Sequence, residues 1–231
     1  MISRKSVNIT NKSTVELIDH LGSDLTIVNA ARVSFDKESN WEYDYLLERN
    51  NLSTKDAKLI QYLAKHNHWS PFAHTSIQLR VNAPIFVARQ LVKHQVGGVW
   101  NEVSRRYVDD EPTFYFPEKW RERAENVKQG SSDKEVVEGN IGAWARETCV
   151  NSLEKYKYML EWGVAPEQAR MVLPQNMMTS WYWTGSLMFF NRVYKQRIDS
   201  HAQLETQEVA KQIGEICEKL FPISWNALTK E

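Results

Sequence analysis

The stretch "TSIQLRVNAPIFVARQLVKHQ", Thr75 to Gln95, decides the architecture. Its first half alternates: Ile77, Leu79 and Val81 fall on one side, Gln78, Arg80 and Asn82 on the other. That period of two is a strand with one face in the core. Pro84 then fits the first turn of a helix, where a missing N–H is harmless. The helix "PIFVARQLVKHQ" is expected to run until the Gly97-Gly98 pair terminates it. Together with the helical patterns elsewhere in the chain, this predicts an α+β fold, helix-rich, with a small antiparallel or mixed sheet.

Upstream, "DLTIVNAARVSF" from Asp24 reads as a strand or extended run, leading into a polar stretch from Asp36 to Asn51. "STKDAKLIQYLAKHNH" opens with a Ser53/Asp56 cap, and Ala57, Ile60 and Leu63 recur at helical spacing. Downstream, "RAENVKQGSSDKEVVEG" from Arg123 is polar and reads as a mobile excursion. A long helix follows, with Ile141, Trp144, Thr148, Leu153, Tyr156 and Leu160 near one side, stopping at Gly163. Pro166 starts a short helix that must end before Pro174. Residues 185–197 read as helical, and a final helix from about His201 buries Val209, Ile213, Ile216 and Leu220. No repeat and no linker interrupts the series, so residues 1–231 are expected to form one domain.

Lysine plus arginine equals aspartate plus glutamate at 29 each, which argues against a surface built for duplex nucleic acid. Local basic clusters then serve small anionic ligands. No apolar run is long enough for a membrane span, and "MISRKSVNITNKS" lacks the apolar centre of a signal peptide. The two cysteines, Cys149 and Cys217, lie in helical patterns, as core residues in a reducing, cytoplasmic compartment would. Neither has the polar, electropositive setting that a nucleophilic cysteine wants. Nine tryptophans, nine tyrosines and eight phenylalanines exceed what one core needs and point to subunit contacts or a stacking site.

Several places carry chemistry. On the helix from Pro84, Arg89 and Lys93 share a face, as do Gln90 and His94. An anion between the cations would relieve their repulsion, and the helix macrodipole explains them equally well. Beyond the glycines, "NEVSRRY" in an extended chain points Ser104 and Arg106 one way and Arg105 the other. A hydroxyl beside a guanidinium is a serviceable phosphate grip, or else part of a solvated loop. In "RIDSHAQLE", Asp199 or Ser200 would cap the last helix, with His201 and Glu205 one turn apart. Arg197, just before that positive helix end, would help hold a ligand with a negative or carbonyl edge. His66, His68 and His74 have no metal-site spacing, so no metal is expected. Gly-rich dinucleotide and phosphate loops and a nucleophile elbow are absent.

The ordered blocks "AARVSF", "PFAH", "APIFVARQ", "NEVSRRY", "ARMVLPQN" and "RIDSHAQ" resemble the flavin-dependent thymidylate synthases over nearly the whole chain. The resemblance implies a homotetramer with active sites at subunit interfaces, each holding FAD, dUMP and a folate. It implies transfer of the methylene of 5,10-methylenetetrahydrofolate to C5 of dUMP, with NADPH reducing the flavin, and no cysteine nucleophile. By position, Gln90, Ser104, Arg105 and Arg106 fall where such enzymes bind dUMP, Arg106 at its phosphate. Arg170 matches an arginine lent by a neighbouring subunit, and Arg197 the arginine at the pyrimidine ring. Ser34, Ser70, Lys93, His94, Gln95 and Val96 fall on flavin-contacting positions. His68 matches an imidazole near the flavin and folate rings, and Glu102 an acid close to the nucleotide.

The departures fall on the flavin side. The family signature Arg-His-Arg reads Lys93-His94-Gln95, losing one planar fork and one charge. Ala73 replaces a common glutamate, and Ser186 sits where a flavin-binding asparagine is usual, with Asn191 the nearest substitute. Two alternatives stay open beside dUMP methylation: a related C5 modification, such as UMP methylation or hydroxymethylation, and a non-catalytic module binding nucleotide or single-stranded DNA.

Overall fold

The computed structural model describes residues 6–45, 48–108, 110–125, 130–137 and 139–230. In chain order the first half runs β1 (Asn8–Thr10), β2 (Thr14–Leu21), α1 (Asp24–Arg32), β3 (Glu42–Asp44), β4 (Arg49–Asn51), α2 (Thr54–Lys65), β5 (Ser76–Pro84), α3 (Ile85–Leu91), β6 (Gly98–Glu102) and β7 (Thr113–Tyr115). The second half continues with β8 (Arg121–Arg123), β9 (Ser131–Glu135), α4 (Ile141–Glu161), α5 (Pro166–Ala169), β10 (Met178–Gly185), α6 (Leu187–Arg197), α7 (Leu204–Leu220) and α8 (Pro222–Thr229).

The alternation in the opening stretch builds the centre of the molecule. Ile77, Leu79, Val81 and Ala83 of β5 are fully buried, while Arg80 on the other face is exposed. The main sheet is antiparallel with order β2-β5-β10-β6. Its outer face carries polar cross-strand pairs, Gln78 to Thr184 at 3.3 Å and Asn82 to Thr14 at 3.2 Å. Its inner face packs under the helices, and Ile27, Ile60, Trp183, Phe190, Val209 and Ile213 fill the layer between. A smaller apolar cluster of Phe114, Cys149, Leu153, Tyr156 and Met177 joins α4 to the parallel pair β1-β7. The architecture is α+β, with an antiparallel main sheet and a parallel pair that gives the mixed character.

Glycines set how close helix and sheet come. Gly185 of β10 lies in register with Gly98 of β6. The ring of Phe189 rests on both: a Cβ on Gly185 would stand 2.2 Å from Phe189 Cδ1, and one on Gly98 2.4 Å from its Cζ.

Several local expectations require correction. Residues 24–32 form α1, not a strand: the Ser23 N–H donates to Thr26 Oγ1 at 3.0 Å as an N-terminal bracket, and packing of Ile27 and Val28 overrides their β propensity. The polar stretch 36–51 contains the pair β3-β4. Helix α3 ends at Leu91, well before Gly97, and Gly98 instead opens β6. The polar segment after Arg123 is bracketed by β8 and β9, which pair through Arg121 with Glu135 and Arg123 with Ser131; residues 126–129 and 138 lie outside the described residues. On α4 the buried side is Cys149, Leu153 and Tyr156, whereas Trp144 and Thr148 are exposed, and Ala145 rather than Trp144 packs on the cluster from the first turns. The final helix is α8, and α7 before it starts at Leu204 rather than His201. Within α7, Val209 and Ile213 are fully buried, while Ile216 and Leu220 are half-buried.

The Ser53/Asp56 cap does form, with the Asp56 N–H donating to Ser53 Oγ at 3.1 Å. A second capping contact is long-range. The buried Asp24 carboxylate accepts from the N–H groups of Ile223 at 3.0 Å and Ser224 at 2.9 Å, the free donors that open α8. Asp24→Ala strands both donors and is expected to cost about 2 kcal/mol. Urea denaturation checks this, and Asp24→Asn, which keeps one acceptor, should lose less.

Candidate functional site

Three groups of polar side chains stand out, each assembled by different elements. The first gathers where α3, α6 and α7 meet. Arg197, the last residue of α6, donates from Nε to His94 Nε2 at 2.9 Å and from a terminal nitrogen to the Gln90 carbonyl at 2.8 Å. That carbonyl belongs to the last turn of α3 and has no partner within its own helix. The Gln90 amide is held from α7: its Nε2 donates to Gln203 Oε1 at 2.6 Å, and its Oε1 accepts from Thr206 Oγ1 at 3.1 Å. Because His94 accepts at Nε2, its ring proton resides on Nδ1.

Burial, then the positive charges of Arg197 and Arg192, push the His94 imidazole from 6.5 down to about 4. Across that window an unfolded chain binds a proton that the folded chain refuses. Stability is present above the unfolded value and is expected to drain away as pH falls toward 4. Urea midpoints taken near neutrality and near the acid end of the window check this. His94→Gln should flatten the difference between the two.

The second group lies where β6 ends. Ser104 to Tyr107 form a turn, closed by the Tyr107 N–H donating to the Ser104 carbonyl at 3.0 Å. The expected extended alternation is therefore replaced, but the turn still sets hydroxyl beside guanidinium: Arg106 Nε donates to Ser104 Oγ at 3.2 Å. Arg106 also stands over the Tyr107 ring, 5.1 Å from its centre. Arg105 points elsewhere, donating to the Asp110 carbonyl. It lines a groove of about 630 Å³ with Arg89, Glu102 and Arg170. Glu102 there accepts from Thr179 Oγ1 at 2.8 Å and from Trp100 Nε1 at 3.2 Å.

The third group opens between α2, α6 and α8, a cavity of about 1070 Å³ lined by His68, Trp69, Asn191 and Arg192 among others. Asn191 is buried, and among the described residues its Nδ2 donates to nothing. A buried amide donor without a partner is costly, and an acceptor on a ligand would satisfy it. Ser186 is spent differently: its hydroxyl accepts from the Phe189 N–H at 3.2 Å as the cap of α6.

The remaining candidates are scattered in the single chain. Ser34 is exposed in the short turn after α1, and Ser70 is exposed at the start of the turn Pro71–His74. Lys93, Gln95 and Val96 are exposed on the loop after α3. Asp199 caps no helix; it accepts from the His201 N–H at 2.8 Å and sits against its ring at 2.9 Å. Glu205 does not pair with His201 either, but binds Arg121 through contacts of 2.8 and 3.0 Å. Among the described residues no cluster of histidine, cysteine, aspartate and glutamate could hold a metal ion, and no helix is long and apolar enough to cross a membrane. Gln203, Thr206, Thr179 and Arg192 carry contacts to the candidates that sequence reading did not single out. Their signal is purely spatial, since the Gln90–Thr206 contact spans 116 positions.

The chain is similar to known proteins over most of its length. The family model described as "Thymidylate synthase complementing protein" matches residues 16–223. A flavin-dependent thymidylate synthase of Thermus thermophilus is 37% identical over 222 residues, covering 96% of this chain and 77% of the relative. That of Kosmotoga olearia is 35% identical over 225 residues, covering 96% and 92%. Among solved structures, the UMP/dUMP methylase PolB from Streptomyces cacaoi bound with 5-Br dUMP superposes with a TM-score of 0.81 at 30% identity, over 96% of this chain and 97% of that one. The same methylase bound with 5-Br UMP gives a TM-score of 0.75 at 29% identity, over 96% of each chain.

Proposed function

This chain belongs to the family of flavin-dependent thymidylate synthases, and on that premise we propose that it reductively methylates dUMP at C5 to give dTMP, drawing the one-carbon unit from 5,10-methylenetetrahydrofolate and the electrons from FAD reduced by NADPH. The observation that carries the reading is the node in which Arg197 joins His94 to Gln90. It unites two residues expected at the nucleotide with one expected at the flavin.

In this reading Arg197 directs its guanidinium to the pyrimidine edge, and Gln90, with Gln203 and Thr206 behind it, fixes the ring's orientation. Arg106 and Ser104 grip the phosphate, Arg105 and Arg170 add charge, and Glu102 sits close to the nucleotide. His68 lies beside the flavin and folate rings. Arg197, Ser104, His68 and Glu102 form the catalytic set. Cys149 and Cys217 are buried, and burial pushes both thiols up, so neither offers a ready thiolate for attack on the pyrimidine.

The chain's residues fit a flavin. The unpartnered Asn191 donor beside a roomy cavity suits the acceptor edge of a flat heterocycle, with Ser34, Ser70, Lys93, His94, Gln95 and Val96 as further contacts. Flavin, when bound, supplies the reducing equivalents that a methylene needs to become a methyl group. Large apolar side chains beside the site residues support assembly as a homotetramer with shared sites: Phe35 is 75% exposed next to Ser34, and Tyr107 78% exposed next to Arg106. The chain acts as one domain in the cytoplasm, without membrane or stable nucleic-acid partners.

The test is direct. Protein loaded with FAD, given dUMP, methylenetetrahydrofolate and NADPH, should yield a nucleotide in which a methyl group has replaced the C5 hydrogen, a net mass gain of CH2. Intact dUMP after prolonged incubation of the flavin-loaded protein would refute the activity, and a hydroxymethyl mass would redirect it. A second reading widens the substrate to UMP. It is favoured by the likeness to a UMP/dUMP methylase solved with both nucleotide types. UMP run in parallel separates the two.

A further inference from the structure

The loop after α3 carries the residues expected to touch flavin, yet its two exposed polar side chains beside His94 are a lysine and an uncharged glutamine. A guanidinium reaches this loop from another element. Arg192 of α6 donates from a terminal nitrogen to the Val96 carbonyl at 2.6 Å. Gly97 turns the loop beneath it with a φ of +84°, the left-handed region that suits glycine, and a Cβ there would stand at ordinary contact distance, 3.6 Å, from the same nitrogen.

That contact joins two places described separately above. Neighbouring helix residues project about 100° apart. Asn191 accordingly turns inward with its unpartnered Nδ2, while Arg192 turns outward to the loop; both line the cavity of about 1070 Å³. One bond to Val96 leaves most of the guanidinium's five N–H donors available and fixes its plane. A ligand whose ring acceptor satisfies Asn191 lies beside Arg192 in that cavity, and Arg192 in turn reaches the loop that carries Lys93 and His94. The chemistry that suits this sequence of contacts is a flat, hydrogen-bond-accepting heterocycle joined to a diphosphate.

We propose that Arg192 is the residue that holds the diphosphate of the bound flavin in this chain, supplying from α6 the guanidinium that Gln95 does not supply from the loop. The inference rests on the flavin reading above and deepens it. The cofactor's affinity is then set by a helix residue outside the loop, and the loop itself is pinned by the same side chain.

Binding of FAD and of riboflavin, which lacks the phosphates, is measured by quenching of flavin fluorescence. Arg192→Gln is expected to weaken FAD roughly tenfold or more, while riboflavin affinity stays at the wild-type level. Arg192→Lys should recover part of the loss. Adding Gln95→Arg to Arg192→Gln should recover more, by returning a guanidinium to the loop. Equal FAD affinity in wild type and Arg192→Gln overturns the proposal, and so does a parallel loss for riboflavin, which would mark general damage to the pocket. If Arg192→Gln fails to fold, Arg192→Lys carries the same comparison, with weaker FAD and unchanged riboflavin expected. Wild-type protein that takes up neither flavin overturns the flavin reading itself, before any variant is made.

Discussion

Gly185→Ala is expected to destabilise the protein by about 3 kcal/mol. Its new methyl would occupy space 2.2 Å from Phe189 Cδ1, and the ring has nowhere to go. Phe189 is buried, with Trp183 edge-on at 5.5 Å and Phe190 at 5.1 Å between ring centres. Either the helix α6 lifts from the sheet or the strand bends, and α6 carries Asn191, Arg192 and Arg197. Chemical denaturation measures the loss. Gly163→Ala is the control: its φ of +81° also disfavours a side chain, but no atom lies within 4 Å, so about 1 kcal/mol is expected. A Gly185→Ala protein no weaker than that control would show that the ring is not wedged as described. Trimming the ring in the double variant Gly185→Ala, Phe189→Leu should return part of the loss, a coupling absent for distant sites.

Arg197→Ala should lower kcat/KM for dUMP by about a hundredfold or more, the scale of a lost charged contact. Two effects add. On the proposed reading the substrate loses a guanidinium at its ring, and His94 Nε2 and the Gln90 carbonyl both lose their donor. Arg197→Lys keeps charge but cannot reach both acceptors in one plane, so it should rescue little. A second readout separates this from general damage. With Arg197 gone, one of the positive charges holding the His94 imidazole down disappears, so its titration, followed by NMR, should move upward from about 4. Undiminished turnover in Arg197→Ala would remove the node from the site altogether.

How far such features can be read before a structure exists depends on the range of the interaction. The alternation of β5, the Ser53 cap of α2 and the short helix at Pro166 depend on neighbours in the chain and are legible there. Residues 24–32 mislead because Thr26, Ile27 and Val28 are strand-formers locally, and only burial beneath distant elements turns them into α1. The Gly97-Gly98 pair misleads for a similar reason: glycine marks a helix end in a local reading, whereas Gly98 here answers Phe189, more than ninety positions away. At the site, resemblance supplies positions but not partners. Arg197 and Gln90 could be nominated from the sequence; that Gln203 and Thr206 brace the same amide could not, because α7 reaches α3 only through the folded core.

The bond between Asp24 and the first turn of α8 also bears on how the molecule comes into being. A ribosome releases the chain from its N-terminus, and the partner of Asp24 emerges 200 positions later. Until then α1 is kept waiting with an unanswered carboxylate, and the apolar layer that Trp225 and Leu228 complete stays uncovered. Nascent chains stalled before residue 222 should therefore be prey for proteases and chaperones, with protection arriving late and all at once.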